Sequence, residues 1–215
     1  MVNQKKVLIV GGTSSIVPGI INKLEEYNYV IDLMTFRTPG KQYGDYKWQN
    51  LDLENKDSLD DLLSIMPKNY YSKILFVSGN SLGNYNGNVP YDELQKFYDS
   101  FLLRYNFLIK ESCKSLTDDG QIVYISSIAA NIPIFDADYS AAKAGVQAFV
   151  RSLSLSMKTN QSSFSISPGL IHGSKVFKEI DYHGDETKLA TIDQIAEIIA
   201  TADKTYNGRV IEIGY

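Results

Sequence analysis

Lys6-Val7-Leu8-Ile9-Val10-Gly11-Gly12-Thr13-Ser14-Ser15-Ile16 is the stretch on which the fold turns. Four apolar residues in a row, Val7 to Val10, read as a strand buried on both faces rather than one with a wet side. The paired glycines end it, and from Ile16 to Tyr27 the apolar spacing becomes that of a helix. Such a turn brings backbone N–H groups and a helix N-terminus to one point, where a pyrophosphate can be held. Ser14 and Ser15 add hydroxyl donors there. A glycine turn of this kind equally serves as a plain strand-to-helix connection, so by itself it leaves both uses open.

Outward from it the alternation continues. Strands are expected at Val30 to Thr35, Tyr46 to Leu51, Lys73 to Val77, Gln121 to Ile125, Ser163 to Ser167 and Arg209 to Ile213. Helices are expected from Ser58 to Ile65, Tyr91 to Leu116, Tyr139 to Met157 and Thr191 to Ala202. With no repeat and no linker, this predicts an α/β fold. Its form is a single Rossmann-type domain over 1–215, a doubly wound parallel sheet of about seven strands with helices on both faces. Ligands of such sheets bind beyond the carboxyl ends of the strands.

Composition narrows the function. A net charge of −4 with both signs scattered argues against a nucleic-acid or anionic-membrane surface. One cysteine, Cys113, excludes an intrachain disulfide, and two histidines, His172 and His183, are too few for a metal site. The apolar run Val7 to Val10 is too short for a signal-peptide core or a membrane span, so a reducing, cytoplasmic location is expected.

The chemistry is carried by Gly120-Gln121-Ile122-Val123-Tyr124-Ile125-Ser126-Ser127 and by Tyr139-Ser140-Ala141-Ala142-Lys143. Tyr139 and Lys143 are four apart and share a helix face. Ser126 and Ser127 close the preceding strand, 13 and 12 residues ahead of Tyr139. Together these segments resemble the short-chain dehydrogenase/reductase family, in which an Ile-Ser-Ser strand end is followed by Tyr-x-x-x-Lys. The family's spacing selects Ser126, while its use of the second serine selects Ser127; Ser127 is preferred, with one loop residue deleted. A second pair, Tyr43 and Lys47, lies in a glycine-containing loop with no serine-ended strand before it, and is read as fortuitous.

The resemblance implies hydride transfer between a nicotinamide cofactor and a small carbonyl or alcohol substrate. Ser127 would hydrogen-bond the substrate oxygen, and Tyr139 would be the general acid/base. Lys143 would hold the nicotinamide ribose and draw the phenol, which titrates near ~10 when free, toward neutrality. Cofactor contacts are implied at Gly12, Ser14, Ser15 and Ile16 in the turn, at Asp52 and Leu53 against the adenine, and at Gly79. Pro168, Gly169 and Ile171 would lie over the nicotinamide. Asp52 reads equally as the cap of the Ser58 helix.

With no carboxylate in Met34-Thr35-Phe36-Arg37 at the end of the second strand, NADP is favoured over NAD, and Arg37 is the candidate for the 2′-phosphate. Asp32 lies too early, inside the strand. The chain departs from the family at Ile16 and Pro18, where the turn has glycines, at Leu102, where an asparagine is expected, and at Gly173-Ser174, where a threonine is expected. About twenty residues separate Pro168-Gly169 from the Thr191 helix, which suits a small substrate or an open cleft. A homodimer or homotetramer joined through the two long helices is expected from the resemblance. The reading from another class is a Rossmann-fold cofactor-sensing or scaffold subunit that has lost turnover.

Overall fold

The computed structural model describes residues 4–35, 46–53, 55–77 and 89–214. Its first strand, β1 (Lys6–Val10), is buried along Val7–Val10 and is flanked on both sides. On one side lies β2 (Val30–Thr35), followed by β3 (Lys47–Asn50). On the other lie β4 (Tyr71–Phe76), β5 (Leu116–Ile125), β6 (Ser162–Pro168) and β7 (Val210–Ile213). The order β3-β2-β1-β4-β5-β6-β7 is parallel throughout. The chain therefore reverses its direction of winding between β1 and β4, the switch point at which sheets of this kind form their ligand crevice beyond the carboxyl ends.

The period of two along the strands divides the core in two. Val7 and Ile9 face α1 (Val17–Glu26) and α7 (Ile192–Thr201), while Leu8 and Val10 face α2 (Lys56–Ile65), α4 (Arg104–Ser112) and α5 (Ala137–Leu153). Helices α1 and α7 approach closely at Gly19: a Cβ there would stand 2.6 Å from Ile192 Cγ2.

The long helix expected from Tyr91 to Leu116 is not continuous. It runs as α3 (Tyr91–Tyr98), a π turn over Asp99–Leu103, then α4, and it closes with a 3₁₀ turn at Cys113–Ser115. Leu116 is the first residue of β5 instead, because it pairs with Tyr71 and is buried against α2 and α4. That pairing also starts β4 two residues early and extends β5 to ten residues, across a register shift between Tyr71 and Lys73. Helix α5 starts at Ala137, where the Asp136 carboxylate caps it, and ends at Leu153 rather than Met157. Beyond it the Ser154 and Ser156 hydroxyls bond back to the carbonyls of Arg151 and Leu153. A short helix not expected from the sequence, α6 (Lys175–Glu179), is capped by Ser174.

Candidate active site

The glycine turn leaves β1 at the crevice. Gly11 has a φ of 90°, a left-handed conformation that suits glycine. The N–H groups of Gly11 and Gly12 both reach Met34 O, at 2.9 and 3.0 Å, so they fasten the turn to β2. A Cβ on Gly12 would press on Thr35 Cγ2 at 3.0 Å. Ile16 is 5% exposed, and its side chain is turned into the α1–α7 core, away from the mouth of the turn. Pro18 occupies the first turn of α1, where a missing N–H removes no intrahelical bond. Ser14 is half-buried, while Ser15 is exposed and its Oγ accepts from Lys175 N at 3.1 Å. The segment after β6 thus crosses the carboxyl ends of β5 and β4 to reach the turn that follows β1.

At the end of β5, Ser126 and Ser127 face differently. Ser126 is buried, and its Oγ has no hydrogen-bond partner among the described residues. Ser127 is half-buried, caps the 3₁₀ turn Ile128–Ala130 through Ala129 N, and stands near enough to Tyr139 to lower its phenol. Tyr139 stands in the first turn of α5, fixed by its N–H to Asp136 Oδ1 at 2.9 Å. Lys143 lies one turn on, 6% exposed, with Nζ 5.7 Å from the Tyr139 ring centroid and 5.0 Å from that of Tyr124. Its Nζ donates to Ile125 O at 2.9 Å. The structure brings Ser127, Tyr139 and Lys143 together.

The electrostatics of this group run against the expectation for Tyr139. Burial raises its phenol above the ordinary value; the Ser127 hydroxyl lowers it and the Asp136 charge adds to the rise. Burial also lowers Lys143 to about 7, so its ammonium is half lost near neutrality. Burial therefore dominates at Tyr139, and its phenol is not drawn down.

The Pro168–Gly169 turn ends β6. Gly169 N donates to Ile213 O at 2.8 Å, and a Cβ at Gly169 would stand 2.5 Å from Gly214 O. Ile171 pairs with Ala190 in an isolated bridge and accepts from Ser174 N at 3.1 Å. His172 is exposed, 3.3 Å from Glu186 and with its ring 4.9 Å from that of Phe177.

Asp52 is exposed, and it does not cap α2. That role belongs to Asn55, whose Oδ1 accepts from Asp57 and Ser58 N–H at 3.0 and 3.3 Å. Leu53 is buried in the α2 and α4 core, with its carbonyl held by Arg104 at 2.5 Å. Asp32 accepts from the Tyr71 hydroxyl at 2.9 Å, midway along β2 and short of the crevice. Arg37 and Gly79 lie outside the described residues. Leu102 fills the interface with α5 at Gly145, and Asn106 Oδ1 is buried with no hydrogen-bond partner among the described residues.

Sequence reading missed Gln147, which continues the stripe Tyr139, Lys143 at the next interval of four. It bonds Ser167 and Asn131, and the interval was the available signal. No helix among the described residues is long and apolar enough to cross a membrane, and none of their His, Cys, Asp and Glu side chains cluster to hold a metal.

A family model described as short chain dehydrogenase matches residues 5–183. No curated protein sequence matches the chain. Among solved structures, the ligand-free aldohexose dehydrogenase of Thermoplasma acidophilum is similar with a TM-score of 0.82 at 17% identity, covering 97% of this chain and 92% of that one. BdcA in complex with NADPH is similar at 0.78 and 16% identity, with 97% and 92% covered. A tyrosine-to-phenylalanine variant of ElxO with NADPH bound is similar at 0.79 and 18% identity, with 97% and 96% covered.

Proposed function

The chain belongs to the short chain dehydrogenase family, an oxidoreductase family, and from that premise we propose that it transfers a hydride between NADP(H) and a small carbonyl or alcohol substrate. The observation that carries the reading is the convergence of Ser127 and Tyr139 beside the buried Lys143, whose Nζ lies 5.7 Å from the Tyr139 ring centroid. A lysine placed in an apolar helix face costs desolvation, and at a strand end facing the crevice that cost has a use.

The residues present fit a nicotinamide dinucleotide. The glycine turn leads into the N-terminus of α1, which no side chain caps, and Ile16 is packed into the core instead of standing at that end. Gly12, Ser14, Ser15 and the backbone of Ile16 would hold the pyrophosphate, Asp52 and Leu53 the adenine, and Gly79 the strand-four side. Pro168, Gly169 and Ile171 would hold the nicotinamide. Arg37 would meet the 2′-phosphate, which favours NADP over NAD. When bound, the cofactor supplies or accepts the hydride.

The rest of the chemistry belongs to this chain. Ser127 orients the carbonyl oxygen. Tyr139, kept protonated near neutrality by its raised pKa, gives its proton to the developing alkoxide. Lys143 fixes the ribose and supports the phenolate that remains. In oxidation the same groups act in reverse. The substrate would lie between the loop after Ser127 and the segment around α6. Both carry exposed apolar side chains, Phe135 at 93% and Val176 at 58%. We read the chain as one domain that works as a homodimer or homotetramer in the cytoplasm.

A second reading, a cofactor-sensing or scaffold subunit without turnover, is favoured by Leu102, which occupies the asparagine position and packs against Gly145. Titration with NADPH and NADH, followed by nicotinamide fluorescence, separates the two. NADPH binding that weakens in Arg37→Ala, together with carbonyl reduction lost in Tyr139→Phe, supports the enzyme. NADPH binding with no turnover across a carbonyl panel supports the sensor. Absence of binding by either nucleotide at submillimolar concentration overturns the enzyme and the sensor and leaves the scaffold.

A further inference from the structure

We propose that Gln147 is a positioning residue for the nicotinamide end of the site, tying the Pro168–Gly169 turn to the loop that follows Ser127. The proposal rests on the functional reading above and adds a residue to it.

Gln147 follows Lys143 by four on α5, and so lies on the same helix face. It is 6% exposed, and its amide is used at both ends. Nε2 donates to Asn131 Oδ1 at 3.0 Å, and Oε1 accepts from Ser167 Oγ at 2.6 Å. Asn131 in turn donates from Nδ2 to Glu212 Oε1 at 2.5 Å. Glu212 is the register partner of Ser167 across β6 and β7. Three side-chain bonds and one pairing of strand register therefore link four segments in a ring at the carboxyl ends of these two strands.

What the ring holds is specific. Ser167 is fully buried and directly precedes Pro168. Asn131 closes the 3₁₀ turn that Ser127 opens, with its N–H on Ile128 O at 2.8 Å. Gln147 thus sets the separation between the segment bearing Ser127 and the segment proposed to cover the nicotinamide. An amide can do this because one neutral group both donates and accepts. Of the other buried residues of α5, Ala142, Val146 and Val150 are apolar and Lys143 belongs to the site. A buried amide among them is costly unless both its ends are paired, and packing alone does not call for one.

The test uses the full chain and two ligands: NADPH, and 2′,5′-ADP, which lacks the nicotinamide half. Gln147→Leu removes both bonds, and Ser167→Ala removes one with little change of volume. The expected result is NADPH affinity lower by about tenfold in Gln147→Leu and less in Ser167→Ala, with 2′,5′-ADP affinity within about twofold of the parent. Gln147→Glu adds a pH signature. Its carboxylate accepts from Ser167 but cannot donate to Asn131, whereas the protonated acid does both, so NADPH affinity recovers as pH falls toward 6. Equal weakening of both ligands shows a general structural role and overturns the proposal. So does unchanged NADPH affinity in both Gln147→Leu and Ser167→Ala. In those cases the parent still binds NADPH and the functional reading stands; a parent that binds neither ligand overturns the reading and the proposal together.

Discussion

Leu102 occupies the space into which Gly145 would project a side chain, with Cδ1 2.6 Å from the position of a Cβ. The pair joins the π turn of Asp99–Leu103 to α5, the helix that carries Tyr139 and Lys143. Gly145→Ala forces the leucine to shift, a cost that offsets the roughly 0.5–1 kcal/mol a helix interior gains from alanine over glycine, so urea unfolding shows no gain in stability. The double variant with Leu102→Ala costs less than the sum of the two single changes, since each relieves the crowding of the other. Additive costs would show that the two side chains do not compete.

Stability depends on pH through two buried lysines. Burial holds Lys143 at about 7 and Lys73 at about 8, against an unfolded value of 10.5. Between the folded and unfolded values the unfolded chain binds more protons, so stability rises with pH across roughly 7 to 10. Above about 10 the raised phenols of Tyr124 and Tyr139 act in the opposite sense, because the unfolded chain then releases protons first. Urea midpoints therefore climb from pH 7 to 10, and more gently in Lys143→Met. A parent profile that is flat over this window contradicts the lowered lysine values.

Tyr139→Phe leaves the fold and NADPH binding in place and cuts carbonyl reduction by at least about a hundredfold. Steady-state rates on any carbonyl substrate that the parent turns over supply the check. Retention of most of the rate would move the proton donor to another group.

Asp136 does two things at once. It caps α5 through Tyr139 N, and its charge contributes to the rise of the Tyr139 pKa. Asp136→Ala lowers stability by about 1 kcal/mol, and it shifts the alkaline limb of a pH–rate profile to lower pH. A melting shift without a change in that limb would separate the cap from the charge.

Much of this architecture was legible because apolar runs are continuous in buried parallel strands. β1 and β2 came out with the same ends from pattern and from structure. The break at Leu116 was not legible: an apolar residue after a helix-period stretch looks like more helix, and only its pairing with Tyr71 makes it a strand. The Tyr139–Lys143 pair could be found because four residues on a helix bring side chains together. The Gln147 ring could not, since it needs Asn131, Ser167 and Glu212 from three other segments. The same limit hid the charge state of Lys143: spacing shows a lysine near a tyrosine, and burial decides how much charge it keeps.

The bond from Lys175 N to Ser15 Oγ couples two parts of the site. That hydroxyl accepts from the segment after β6 and still has its own proton to give. A ligand group taking that proton at the turn would polarise the oxygen and strengthen its hold on Lys175. Filling the turn and ordering the segment are then one linked equilibrium, and the linkage is reciprocal. Compounds that press the segment down would raise affinity at the turn without touching it, and ligands of the turn would tighten theirs by the same factor.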